Sequence, residues 1–202
     1  MDDRVSVLVT GFGPFGEHKI NASWEAVKEL ESIGFGNNIN LTTQEIPVEY
    51  ETVSALIPAL WQKYKPRVCV HVGVSGFTDV VQLETCAHNL DYCREDISYK
   101  CPSRNSCVLG GSECLQTDLN VEKICQEVDS KLCPCKLETS CDAGRYLCEF
   151  IYYSSLHQSL KPEHTGSSVV FIHVPVLDQP YTKTQLGQTL KFVILQILKQ
   201  LN

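Results

Sequence analysis

The chain alternates short apolar runs with segments whose apolar residues recur every three or four positions. Val5 to Thr10 (VSVLVT) is a β-rich run stopped by Gly11, which predicts a buried strand. Trp24, Val27 and Leu30, with Ala26 beside them, fall at helical spacing. Leu41 to Ile46 predicts a second strand. Val53, Leu56, Ile57, Leu60 and Tyr64 predict a helix that Pro58 should kink. Arg67 to Gly73 (RVCVHVG) reads as a third, central strand, and Val80 to Glu84 as a fourth. Residues 85–117 show little periodicity and many Cys, Ser, Gly and Asp residues, as expected of a long, cysteine-rich loop region. Val121 to Val128 predicts a short helix and Lys136 to Thr139 a strand. Asp142 stands where it would N-cap a helix running to about His157. Ser168 to Val174 (SVVFIHV) is a further strand. Leu186, Leu190, Val193, Ile194, Ile197, Leu198 and Leu201 mark an amphipathic C-terminal helix.

Strands that alternate with helices predict a three-layer α/β/α domain with a largely parallel or mixed central sheet. No repeat or linker divides the chain, so residues 1–202 are expected to form a single domain.

Charge and composition narrow the function. The formal net charge is -7 and no Lys/Arg run occurs, which argues against a nucleic-acid partner. No apolar stretch approaches the roughly 20 residues needed to cross a bilayer. Met1-Asp2-Asp3-Arg4 lacks the basic start of a signal peptide, so a cytoplasmic location is expected. Eleven cysteines would suggest a disulfide framework in a secreted chain, but the cytosol keeps thiols reduced. No C-x-x-C is present, and Cys86, Cys93, Cys101, Cys107 and Cys114 have irregular gaps without paired-ligand spacing. No metal or cofactor is implied.

Four places carry candidate chemistry. Gly11-Phe12-Gly13-Pro14-Phe15-Gly16 satisfies G-x-G-x-x-G formally, yet Pro14 removes an N–H that a pyrophosphate would need. A rigid turn displaying two aromatic rings is the better reading, and simple core filling is the plainer one. Asp142-Ala143-Gly144-Arg145-Tyr146-Leu147-Cys148 places a cysteine in the first turns of a helix. Free N–H groups and the helix dipole there favour a thiolate and an oxyanion. Among eleven cysteines, an inert buried thiol is the ordinary alternative. His173 closes an apolar strand just before Pro175, and ligands in α/β sheets bind at strand carboxyl ends. Glu84 ends the fourth strand, where a carboxylate orients an imidazole or is merely solvated. Spacing alone does not join these residues.

Several long segments in one order do. VLVTGFGPFGEHKINASWEAVKEL, EIPVEY, HVGVSG, LETCAHN, DAGRYLCEF and FIHVPVLDQP resemble the pyroglutamyl-peptidase I family of cysteine omega peptidases from Val7 to about Leu198. The resemblance implies Cys148 as nucleophile, His173 as general base and Glu84 as the carboxylate that orients it. It implies that Phe12 and Phe15 sandwich the pyrrolidone ring, with Tyr146 as a further lining ring. The Val74 carbonyl would accept from the lactam N–H, and the Leu147 N–H would donate to the lactam carbonyl. Asn21 in NASW matches a pocket-supporting position. Arg94 lies ten residues after Glu84, where bacterial members carry an arginine near the reacting carbonyl. Beyond Arg94 the chain departs from the bacterial pattern and is closer to animal members. The implied substrate is a pyroglutamyl peptide. A silent paralogue that binds such peptides or a protein partner is the alternative from another class, and a cysteine-rich metal or redox sensor is a third.

Overall fold

The computed structural model describes residues 4–16, 19–128 and 131–201. Among them, β1 (Val5–Phe12), α1 (Ala22–Ile33), β2 (Ile39–Ile46), α2 (Tyr50–Tyr64), β3 (Val68–Val74) and β4 (Val81–Glu84) follow in order. Next come β5 (Cys86–His88), β6 (Cys114–Gln116), α3 (Val121–Glu127), β7 (Leu137–Ser140), α4 (Leu147–Ser159), β8 (Ser168–Val174) and α5 (Lys183–Gln200).

Six strands make the central sheet in the order β2-β1-β3-β8-β4-β7. Strands β2, β1, β3 and β8 are parallel, whereas β4 runs antiparallel to β8 and carries β7 parallel to itself. Alternation at period two sends Val7, Val9, Val70, Val170 and Ile172 to one face, where α1 and α5 cover them. Leu8, Cys69, Val169 and Phe171 point to the other face, under α2 and α4. Apolar faces on both sides are what a buried, largely parallel sheet requires. The three layers and the mixed sheet agree with the expectation from the alternating pattern.

Two local expectations are corrected, and the helix α2 continues through Pro58. The carbonyl that loses its partner there belongs to Ser54, an exposed residue that water can reach. Asp142 is not an N-cap: α4 begins at Leu147, with Tyr146 in the capping position. Asp142 instead accepts from the Gly144 N–H at 3.0 Å and from Arg145 at 2.7 Å, which closes a turn around Gly144 at φ +80°. The 85–117 segment is not a loop throughout. Its ends pair as β5 and β6 in a separate two-stranded antiparallel sheet. Between them Asn89 donates to Val108 and Gly111 and accepts from the Val108 N–H, which ties the excursion down.

Candidate active site

The parallel strands β1, β3 and β8 end along one rim, at Phe12, Val74 and Val174. The first turn of α4 sits at the same rim. Cys148 is its second residue, and Tyr146 supplies no side-chain cap. The opening N–H groups of a helix have no intrahelical acceptor, so this turn offers donors and positive potential beside the thiol. A cleft of about 740 Å³ opens here, lined by both helix start and strand ends.

His173 faces the cleft from β8. Its Nδ1 lies 2.7 Å from Glu84 Oε1, and the Cys148 side chain is near enough to interact with the ring electrostatically. With Nδ1–H given to the carboxylate, Nε2 is the nitrogen left for the sulfur. Burial opposes charge on His173, but the interactions with Cys148 and Glu84 outweigh it and push its pKa up to about 9. Phe171 packs edge-on to the imidazole with ring centroids 4.8 Å apart.

Antiparallel pairing sets the depth of Glu84. Gln82 is the register partner of His173 and Glu84 that of Phe171, so the carboxylate lies one step below the imidazole, away from the rim. Glu84 is fully buried, and its Oε2 has no hydrogen-bond partner among the described residues. Among the described residues, its one ion-pairing partner is the imidazole. The structure thus brings Cys148, His173 and Glu84 together.

Gly73 makes room for the sulfur. It pairs in register with His173, and a Cβ built on it would meet Cys148 Sγ at 2.7 Å and Phe171 Cζ at 2.6 Å. Phe12 and Phe15 line the cleft, with Phe12 buried and Phe15 half-buried. Asn21 holds the loop between them. It N-caps α1, accepts from the Ser23 N–H and hydroxyl, and donates to the Gly13 carbonyl at 3.0 Å. Gly11 is needed for packing rather than for phosphate, since a Cβ there would meet Trp24 Cα at 2.9 Å, whereas a Cβ on Gly13 would meet the movable end of Glu45, Oε1 at 2.8 Å. Val74, Leu147, Tyr146 and Arg94 line the same cleft. The Arg94 guanidinium stacks over the Tyr146 ring at 4.2 Å, and the Tyr146 hydroxyl donates to the Glu95 carbonyl at 3.2 Å.

Several lining residues were not singled out by the sequence, among them Gln82, Phe77 and Arg145. Gln82 lies two positions before Glu84, hence on the same strand face, and period two would have found it. Phe77 follows HVGVSG and is fully solvent-exposed. Arg145 reaches Glu149 at 2.8 Å beside Cys148.

A second Cys–His pair shows what the cleft adds. His71 and Cys69 lie two residues apart on β3, fully buried, with His71 Nε2 3.3 Å from Cys69 Sγ and Nδ1 2.7 Å from Thr10 Oγ1. Burial drives His71 down to about 3 and Cys69 up to about 12, so both stay neutral. Among the described residues no carboxylate contacts that imidazole, and neither group reaches solvent.

The comparisons with known proteins point the same way. The pyroglutamyl peptidase family profile matches residues 5–195. Pyroglutamyl-peptidase 1 of Homo sapiens is 48% identical over 195 residues, which are 96% of this chain and 90% of that one. Pyrrolidone-carboxylate peptidase of Pyrococcus furiosus is 30% identical over 91% of this chain and 88% of its own. The solved pyrrolidone carboxyl peptidase of Fervidobacterium islandicum superposes with a TM-score of 0.85 at 28% identity, covering 98% of this chain and 99% of that one. A match across nearly the whole length, over a cleft of this construction, establishes that the chain belongs to the pyroglutamyl peptidase family.

Proposed function

We propose that this protein removes N-terminal pyroglutamate from peptides, with Cys148 as nucleophile, His173 as general base and acid, and Glu84 as the orienting carboxylate. The observation that carries this reading is that Glu84, His173 and Cys148 come together, the first two hydrogen-bonded at 2.7 Å, at a helix start and in a cleft with two phenylalanines. Family membership supports the substrate class.

His173 Nε2 takes the thiol proton, and the thiolate attacks the carbonyl carbon that joins pyroglutamate to the next residue. N–H groups of the first turn of α4 stabilise the resulting oxyanion. Protonated His173 gives its proton to the leaving amine, and a thioester on Cys148 remains. Water, deprotonated by His173, hydrolyses the thioester and restores the thiol. Pyroglutamate carries no ammonium, so an anionic anchor would have nothing to hold. Phe12 and Phe15 take the ring faces, the Val74 carbonyl accepts the lactam N–H, and the Leu147 N–H donates to the lactam carbonyl. Tyr146, braced by Arg94, walls the slot, and Asn21 fixes the loop between the two phenylalanines.

The chemistry needs a reduced thiol, which is consistent with work in the cytoplasm. No described helix is long and apolar enough to cross a membrane. The test is release of a fluorescent amine from a pyroglutamyl amide in reductant. Turnover that iodoacetamide abolishes, and that Cys148→Ala and Cys148→Ser both lack, is expected. Retained activity in either variant rules out the assignment and leaves a different nucleophile to be found. A folded, unmodified wild type that binds the amide without cleaving it would favour the silent paralogue.

A further inference from the structure

The spacing of the cysteines in the 85–117 segment carries no paired-ligand motif, but the β5–β6 ladder converts it into one. His88 and Cys114 are register partners across the two strands. Cys86 lies two residues before His88, so all three side chains leave the same face. Their ligand atoms all lie within 4.8 Å of one another. For zinc bonds of about 2.3 Å to sulfur and 2.0 Å to nitrogen, tetrahedral ligands stand about 3.5–4 Å apart, so a small closing movement completes the set.

The second shell of such a site is already built. Glu149, whose side chain is fully buried, accepts from His88 Nδ1 at 2.8 Å and from the His88 backbone N–H at 3.1 Å. A metal-bound histidine donates its other ring N–H to a carboxylate in just this manner, which fixes the tautomer and leaves Nε2 with its lone pair outward. Arg145 holds the other oxygen of Glu149 at 2.8 Å. Cys86 is buried, while His88 and Cys114 are partly exposed, so one side is open for entry and for a water in the fourth position.

We propose that Cys86, His88 and Cys114 form a second site, outside the catalytic line, that binds a thiophilic d10 cation, zinc above all. Two thiolates and an imidazole favour such an ion over magnesium or calcium, which prefer oxygen. The bound ion clips the start of the 85–117 excursion to its end. It also abuts the catalytic elements through two short links: Cys86 is two residues from Glu84, and Glu149 is next to Cys148.

The test uses the full chain carrying Cys148→Ala, so that the cleft thiol contributes no ligand, fully reduced under a phosphine and without oxygen. Co2+ alone is titrated first. One equivalent is expected to give thiolate-to-cobalt charge-transfer absorption, and Zn2+ is expected to bleach it and to raise the thermal midpoint with its free concentration. Cys114→Ser should lose the band and weaken Zn2+ binding at least about tenfold, with an unchanged far-UV spectrum. His88→Gln should weaken binding while keeping some thiolate absorption. A Cys93→Ser/Cys101→Ser variant, altered at two exposed cysteines, should bind as before. Absence of a charge-transfer band, persistence of the full band in Cys114→Ser, or its loss in the Cys93/Cys101 variant would each overturn the proposal. So would a Cys86–Cys114 disulfide that reductant leaves intact.

Discussion

The Cys148 sulfur lies over Gly73, 2.7 Å from where a Cβ on that glycine would stand. The same Cβ would meet Phe171 Cζ at 2.6 Å, so neither neighbour can yield without moving the other. Gly73 is the register partner of His173, so the missing Cβ keeps the sulfur at the level of the imidazole. Gly73→Ala should therefore displace the thiol. Overpacking of this kind costs about 1–3 kcal/mol of stability. The expected fall in kcat is larger in effect, on the order of a hundredfold, because a misplacement of about 1 Å suffices. A kcat within a factor of three of wild type would show that the sulfur reacts from another position.

Glu84 and His173 differ in what their loss removes. His173→Ala deletes the group proposed to move both protons and should leave almost no turnover. Glu84→Gln keeps a side chain of the same shape below the ring, but it removes the charge that stabilises the imidazolium. It also places an amide where Oε2 has no partner among the described residues. The expected loss in kcat is roughly tenfold to a thousandfold, smaller than for His173→Ala. The two variants compared on one pyroglutamyl amide decide the order, and a worse Glu84→Gln would reverse the roles.

The pH dependence has a sign on each flank. His173 is raised from 6.5 to about 9, so the stability it contributes is complete below about pH 6.5 and is lost as pH rises through 9. The full effect is at most about 3 kcal/mol. His71 is lowered from 6.5 to about 3, so its contribution is present above about pH 6.5 and disappears as pH falls toward 3. Urea unfolding across pH should show both flanks, and His173→Ala should flatten only the alkaline one. The alkaline limb of kcat should lie near pH 9 and move down in Glu84→Gln, with apparent values that belong to the Cys148–His173 pair. An alkaline limb unmoved in Glu84→Gln would detach the carboxylate from the titration.

The proposed slot would read a neutral lactam, and specificity tests it. A prolyl amide offers a similar ring without the lactam carbonyl and with a charged nitrogen. It would leave the Leu147 N–H unpaired, at a cost of about 1–3 kcal/mol, before any desolvation of the cation. Prolyl amides should be cleaved at least about tenfold to a hundredfold less well in kcat/KM. Phe15 is half-buried, so Phe15→Ala should raise KM with little change in stability or in thiol reactivity toward iodoacetamide. Phe12 is only 3% exposed, and truncation to Ala would cost about 3–5 kcal/mol, so Phe12→Leu is the cleaner probe of ring contact. Comparable cleavage of prolyl and pyroglutamyl amides would refute the slot even with Cys148 confirmed.

Much of this was legible in the chain itself, because local periodicity is a local property. The strand at Val5, the helix over Trp24 to Leu30 and the apolar β8 declare themselves through alternation or helical spacing, and the alternation of elements gives the layers. The matched segments named the cysteine, the histidine and the carboxylate. What no local pattern holds is direction and depth. The antiparallel placement of β4 sinks Glu84 beneath His173 instead of leaving it at the rim with the other strand ends. The start of α4 lies four residues beyond where an Asp142 cap would put it, because Asp142 is a good cap by type, whereas in space it closes a turn with Gly144 and Arg145. Cys69 and His71 are as close in sequence as a catalytic pair could wish, yet burial on both sides keeps them neutral. Cys148 and His173 are 25 residues apart, and only the packing of α4 against β8 makes them partners. Titration, reach and orientation depend on what surrounds a group in three dimensions, and that is set by long-range pairing that residue types alone do not encode.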